Sequence, residues 1–208
     1  MSRIALIGGG GFAKEVAEVV ELNGHVIVGC VDDAAEIKLR CPHWGPLPNL
    51  NSRRADFDAV ALGIGATDRS SIAVRSRIID WIRGSDFPTV PAISPRAVIS
   101  KGVALADSVF VAHGVVVSVD ARIGAFVILN SHATVGHDAH LSSQVIVAPG
   151  AFIGGAVTVG EQSLIGPGAQ VLQGLTLGAG SIVSVGAVVL RSLKSGATVV
   201  PNRPRVIP

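Results

Sequence analysis

The sequence of 208 residues has no tyrosine, one methionine, two tryptophans and two cysteines. Aromatic residues make up 4% and charged residues 15%, against 49% hydrophobic. The core must therefore be built from Ala, Val, Ile and Leu rather than from rings, an uncommon composition for a globular domain. Long apolar runs are missing as well. Gly, Ser, Asp and His interrupt each hydrophobic stretch short of the roughly 18 to 20 residues of a membrane span, so no membrane association is expected. The run Ile4 to Ile7 is too short for a signal-peptide core and leads into Gly8-Gly9-Gly10-Gly11 and the charged Lys14-Glu15, so no export signal is expected either. Cys30 and Cys41 stand in no metal or redox spacing, which makes a reducing cytoplasm the simplest location. A net charge of +2 leaves no nucleic-acid footprint.

What is abundant is a repeat. Reading every sixth residue from Ile93 to Val189 gives seventeen branched aliphatics in succession, Val135, Leu141 and Val147 among them. The residue four places after each, such as Ala133, Ala139 or Val145, is small or aliphatic throughout. Helices repeat near 3.6 and strands at 2, so a period of six points to a parallel β-helix of hexapeptides. Three hexads make one triangular coil of about 18 residues, with the aliphatics inside and Gly, Ser, Asn and Asp at the turns. The open ends of such a stack need covers. The chain divides accordingly into an α/β domain over residues 1–90, a β-helix over 91–190 and a capping tail over 191–208.

Within residues 1–90, strands are expected at Ile4–Ile7, Val26–Val31 and Asp58–Leu62. Helices are expected at Phe12–Asn23, with Val16, Val19 and Val20 on one face, and at Arg69–Arg83, carrying Ile72, Val74, Ile78, Ile79 and Ile82. Cys41 to Asn51, with three prolines, reads as an irregular loop. Alternating strands and helices with short connections imply a parallel, Rossmann-like sheet. The run Gly8 to Lys14 follows a strand and opens a helix, the setting in which glycines admit a ligand to the backbone and the helix N-terminus faces a phosphate. Asp32 and Asp33 end the next strand, where a carboxylate can hold a ribose or base. Gly8-x-Gly10-x-x-Ala13 matches a dinucleotide fingerprint, but fewer than 90 residues hold only about half of such a fold. A mononucleotide or nucleotide-linked sugar fits the space better, and a turn that binds nothing is the plain structural alternative.

Six histidines remain to be sorted. His137 lies two places after inward Val135, so it faces outward at a corner, with Asp138 following it. One coil further on, the same corner holds Gly154-Gly155. An imidazole beneath a backbone without side chains offers space for an extended ligand, and the exposed N–H offers a donor to an oxyanion. His132 and His137 have a spacing that some hexapeptide proteins use for zinc, but a third histidine would be needed about two coils upstream, and Arg96 stands there. No metal is expected. His113 and His132 read as polar corner residues or subunit contacts and His140 as an exposed turn residue, while His25 and His43 carry no pattern.

Taken together, Gly8 to Lys14, Val31-Asp32-Asp33, Ala61-Leu62-Gly63, Leu129-Asn130-Ser131, Gly136-His137-Asp138 and Ala148-Pro149-Gly150-Ala151 resemble the bacterial sugar acetyltransferases. That family contains the sialic acid O-acetyltransferases and the nucleotide-linked 4-amino-sugar N-acetyltransferases of bacillosamine and perosamine synthesis. The resemblance spans nearly the whole chain. It implies a left-handed β-helix, a homotrimer with acetyl-CoA in the cleft between neighbouring β-helices, and a nucleotide sugar on the first domain. His137 falls at the position of the catalytic base, Asp138 at its acidic partner, and Gly155, with Gly154 before it, at the backbone donor near the thioester. Gly8, Gly10, Gly11, Lys14, Asp32, Asp33 and Gly63 fall at nucleotide-binding positions. Asn130 lies close to His137 in the coil, where it either reaches the acceptor or forms a structural ladder of corner asparagines. Ile146 occupies a cofactor-contacting position where relatives often carry a second histidine. Phe12-Ala13-Lys14 replaces His-Gly-Lys, and Pro201-Asn202-Arg203-Pro204-Arg205 replaces the usual ending. The expected activity is acetyl transfer from acetyl-CoA to the amine of a nucleotide-linked 4-amino-4,6-dideoxy sugar for a surface glycan. O-acetylation of sialic acid or a related sugar is one alternative. A non-catalytic scaffold that binds a nucleotide sugar is another, kept open by Ile146.

Overall fold

The computed structural model describes residues 1–201, and the chain forms two compact units. The expected tail of residues 191–208, with its Pro201 to Arg205 ending, lies in part outside the described residues.

The first unit comprises Met1–Ala97 with Ala106–His113. Strands β1 (Arg3–Ile7), β2 (Val26–Val31) and β3 (Ala59–Leu62) form a parallel sheet in the order β2-β1-β3. Ile4, Ala5, Leu6 and Ile7 are buried, as a central strand covered on both faces requires. Helix α1 (Gly11–Leu22) buries Ala13, Val16, Ala17, Val19 and Val20, the stripe of an amphipathic helix. Each buried Val contributes on the order of 1.5–3 kcal/mol relative to exposure. Helix α2 (Arg69–Gly84) is started by Asp68, whose carboxylate accepts from the Ser71 N–H while the Ser71 hydroxyl stands against the Asp68 backbone.

Two expectations are corrected here. On α2, Val74 is 44% exposed, while Arg75 is buried with Ile72, Ile79 and Ile82. A rotation of one residue about the helix axis is invisible to a count of apolar residues. The expected loop Cys41–Asn51 contains the start of a 3-10 helix, Leu47–Arg53. Pro48 lies in its first turn, where a missing N–H costs nothing.

The second unit comprises Val98–Leu105 and the residues from Gly114 onward. It is a parallel β-helix. Six two-residue strands from Val98–Ile99 to Val188–Val189 form one sheet, and five from Ala104–Leu105 to Thr176–Leu177 form a second. A third runs from Ile128–Leu129 through Ile146–Val147, Leu164–Ile165 and Ile182–Val183 to Thr198–Val199. Partners are 18 residues apart in register, for example Val135 with Ile153. Val135, Leu141, Val147, Ile153, Val159 and Ile165 have no exposed surface, and neither do the small residues Ala133, Ala139 and Ala151. Two serines take the place of small apolar residues inside, and both are satisfied: Ser181 donates its N–H to Ser163 Oγ at 3.1 Å and its hydroxyl to Gly178 O at 2.6 Å. Every sixth residue from Asp120 to Gly186 has φ between 54° and 71°, so each corner turns on one left-handed residue. Gly occupies five of these twelve positions, whereas Asp120, Phe126, His132, Asp138, Gln144, Ala156 and Gln162 adopt the same conformation with a side chain.

Candidate active site

The β-helix presents an exposed acid–base pair, His137 and Asp138. Thr134–Val135 ends with Val135 inside, so Gly136 and His137 turn the corner and Asp138 completes it at φ 58°. The side chains of His137 and Asp138 are 62% and 61% exposed, and His137 Nδ1 lies 2.7 Å from Asp138 Oδ2. A carboxylate at Nδ1 holds the ring proton there and leaves the lone pair on Nε2. The ring packs under Gly155: a Cβ built at that glycine would meet Nε2 at 2.5 Å and Cε1 at 2.7 Å. At Gly136 the backbones approach just as closely, a Cβ there meeting the Gly155 nitrogen at 2.5 Å. The Gly154 N–H donates to Val171 O, but among the described residues the Gly155 N–H has no acceptor. A base with a free lone pair and an unused backbone donor thus sit at one corner.

Other expected residues stand elsewhere. Asn130 lies at the corner before the Thr134–Val135 strand and His137 at the corner after it; the Asn130 N–H donates to Val147 O and its carbonyl accepts from Ala133 N. Ile146 belongs to the sheet of Ile128 and Leu164, not that of Thr134, and is 3% exposed. His132 is an exposed corner residue at φ 59°, its ring over Gly114, and His140 is exposed beside Arg122 and Thr158 in its sheet. His113 is held inside the first unit. Its Nδ1 lies 2.5 Å from Ser94 Oγ and its Nε2 3.6 Å from Glu18 Oε1.

In the first unit the ends of β1, β2 and β3 converge on the glycine turn. Gly8 takes φ 106°, and a Cβ there would strike Ile64 and Gly63 O at 2.7 and 2.9 Å. Gly9 is enclosed: its N–H donates to Asp32 Oδ2 at 2.6 Å, its carbonyl accepts from Lys38 N, and Ile37 fills its Cβ space. Gly10 and Gly11 are open, with no atom within 4 Å of a built Cβ, and no side chain caps α1. Uncapped N–H groups at a helix start form an anion site. Asp32 Oδ1 accepts from Ala34 N at 2.8 Å, so both carboxylate oxygens of Asp32 serve the loop, while Asp33 is exposed. Gly63 packs on Ala13, and its N–H donates to Ile7 O. Lys14 lines a cleft of about 310 Å³ with Glu18, Glu21, Lys38, Arg40 and Cys41. Phe12 packs edge-on against Phe110, with centroids 4.9 Å apart, and covers Gly65.

Neither cysteine is poised as a nucleophile. Burial pushes the Cys30 thiol up to about 12 and raises that of Cys41 as well. Among the described residues no three His, Cys, Asp or Glu side chains gather as metal ligands, and no helix is long and apolar enough to cross a membrane. Sequence reasoning missed Arg75. The signal available was an arginine spaced three after Ile72 and four before Ile79 on the buried stripe.

A Rossmann-like sheet with a glycine turn, joined in one chain to hexapeptide coils bearing an outward His–Asp pair, defines an acyltransferase of the hexapeptide-repeat type. Comparison with known proteins gives the family. The family model of the PglD N-terminal domain matches residues 3–82. A mutant of perosamine N-acetyltransferase from Caulobacter crescentus, solved with CoA and GDP-perosamine, is 34% identical over 94% of this chain and 91% of its own, with a TM-score of 0.88. The acetyltransferase domain of PglB from Neisseria gonorrhoeae FA1090, in complex with acetyl coenzyme A, is 28% identical over 96% and 98% of the two chains, with a TM-score of 0.87. WeeI from Acinetobacter baumannii AYE is 26% identical over 98% and 99%, with a TM-score of 0.85. No curated protein sequence gave a match. The chain belongs to the bacterial sugar acetyltransferases of the hexapeptide-repeat type, with their left-handed parallel β-helix.

Proposed function

We propose that the protein transfers the acetyl group of acetyl-CoA to the amine of a nucleotide-linked 4-amino-4,6-dideoxy sugar. The observation that carries this reading is the His137–Asp138 pair, held at 2.7 Å beneath Gly155 on a chain 34% identical to an enzyme solved with CoA and GDP-perosamine. His137 Nε2 takes the proton from the sugar amine as its nitrogen attacks the thioester carbonyl. The developing oxyanion accepts from the free Gly155 N–H. The tetrahedral intermediate then collapses, the C–S bond breaks, and the departing thiolate takes up the proton from the His137 imidazolium and leaves as CoA, which returns the imidazole to its neutral form. Asp138 fixes the Nδ1–H tautomer and stabilises the imidazolium. Direct transfer of this kind uses no enzyme nucleophile, in keeping with the raised Cys30 thiol.

In the first unit, the open N–H groups of Gly10 and Gly11 receive the diphosphate, and Asp33, with its carboxylate free of the loop, meets the base or ribose. We place the enzyme in the cytoplasm as a homotrimer in which a neighbouring copy completes the acetyl-CoA cleft, with residues 1–90 binding the nucleotide, 91–190 carrying the chemistry, and the tail acting as a cap. Its product enters a surface glycan. The test is incubation with acetyl-CoA and a panel of nucleotide 4-amino sugars while free thiol is followed. Turnover with an amino sugar is expected, together with a loss of about 10² to 10⁴ in kcat for His137→Asn. Turnover with sialic acid alone, binding without thiol release, or more than about a third of wild-type kcat in His137→Asn would overturn the reading.

A further inference from the structure

The buried stripe of α2 carries a cation. Arg75 is 3% exposed between Ile72 and Ile79, and burial lowers its pKa to about 10, which leaves it charged at neutral pH. A guanidinium in such a place costs far more than the Leu or Met that would fill the same stripe, so packing alone does not explain it. Its Nε donates to Ile64 O at 2.8 Å. Ile64 belongs to the turn between β3 and α2, and that turn is the outer wall of the glycine loop. Ile64 Cγ1 closes on Gly8, Gly63 closes on Ala13, and Gly65 lies against the Phe12 ring. Of these three successive residues, Ile64 thus touches the glycine loop at Gly8, while Gly63 and Gly65 touch the first turn of α1, whose open N–H groups lie at Gly10 and Gly11.

We propose that Arg75 is a positioning residue for the nucleotide half of the site: by holding the Ile64 carbonyl it fixes the Gly63–Gly65 turn against Gly8 and Ala13, and so sets the direction of the Gly10 and Gly11 donors. It acts through Ile64, without touching the ligand. The inference rests on the reading that these glycines receive a nucleoside diphosphate. Its signature is a split between substrates, because acetyl-CoA is handled at the His137 corner of the β-helix. In Arg75→Met the KM for the nucleotide sugar, and the Kd for the nucleoside diphosphate alone, should rise by about tenfold, the size of one hydrogen bond from a charged donor. The KM for acetyl-CoA and kcat at saturation should stay within about twofold of wild type, a margin small beside that tenfold effect. Arg75→Lys, which retains a cationic donor, should recover part of the loss.

Calorimetry with UDP and GDP on the wild type and on both variants, beside steady-state kinetics, tests this. An unchanged diphosphate Kd in Arg75→Met overturns the positioning role. So does an equal loss toward both substrates, or a Lys variant no better than Met. If Arg75→Met fails to fold, Arg75→Lys alone decides, since an unchanged Kd together with an unchanged KM in that folded variant also overturns the proposal. Failure of the wild type to bind either diphosphate would strike the nucleotide reading itself, a result distinct from variants that bind as the wild type does.

Discussion

The Gly155 backbone lies over the His137 imidazole so closely that a Cβ at residue 155 would sit 2.5 Å from Nε2. The ring therefore fixes the identity of the residue one coil away, and the glycine in turn fixes the place of the ring. Gly155→Ala is expected to push the imidazole aside and lower kcat by about 10²-fold, the lower end of what a general base contributes. The collision should also lower the Tm. Both effects depend on the ring, so in a His137→Ala background the added Gly155→Ala change should be nearly silent. A double-mutant cycle read by kinetics and by thermal melts checks this, and additive effects would refute the coupling.

Asp138 is judged by tautomer rather than by charge. With its carboxylate 2.7 Å from Nδ1, the neutral ring carries its proton on that nitrogen. Asp138→Asn can present an amide N–H to Nδ1, which favours the proton on Nε2 and removes the lone pair that the amine needs. We expect kcat to fall by about 10² or more with little change in KM. Nitrogen NMR of the His137 ring should report the Nε2–H form in the variant and the Nδ1–H form in the wild type.

The parts of this fold that were legible in the sequence are those set by spacing. A period of six names an inward residue at each hexad, and Val135, Ile153 and Val171 all stand fully buried in one parallel ladder. The same count puts His137 at an outward corner under Gly155. Corner chemistry was less legible. Gly, Ser, Asn and Asp were expected at the turns, yet Phe126, Ala156 and Gln162 take left-handed corner positions, because ladder bonds on both sides over-determine the backbone. Rotation about a helix axis was not legible either: exchanging Val74 for Arg75 on the buried face of α2 depends on the Ile64 carbonyl, which belongs to a different element. Two adjacent aspartates also looked alike until the backbone donors to Asp32 separated them.

That separation makes a second prediction about the nucleotide half. Asp32 accepts from Gly9 N and Ala34 N, so Asp32→Ala leaves two N–H groups unpaired and lets the Ala34–Lys38 loop come away from the glycine turn. Asp33 is exposed and makes no such bonds. Asp32→Ala should lower both the Tm and the affinity for a nucleoside diphosphate sugar, whereas Asp33→Ala should lower affinity by about tenfold, the value of a hydrogen bond to a charged group, with the Tm unchanged. Melting curves and titration calorimetry on the two variants would decide it. The reverse pattern would assign ligand contact to Asp32.

A pH dependence follows from the cap of α2. The Asp68 carboxyl is held at about 2, first by the Ser71 N–H and then by the Ser70 and Ser71 hydroxyls, against an ordinary value of 3.8. The folded pKa is the depressed one, so the folded state binds fewer protons than the unfolded state between these values, and stability rises with pH across that window. The contribution of Asp68 is therefore complete above about pH 4 and is lost as pH falls through about 2. The carboxylate is fully exposed, so salt should weaken the effect without abolishing the hydrogen bond from the Ser71 N–H. Asp68→Ala should lower the Tm at pH 7 and flatten the acid limb of Tm against pH between about 4 and 2, while Asp68→Asn, which keeps an acceptor for the Ser71 N–H, should flatten the same limb with a smaller loss at pH 7. Thermal melts of the three proteins across that range measure both quantities, and an acid limb unchanged in Asp68→Asn would show that another carboxylate governs it.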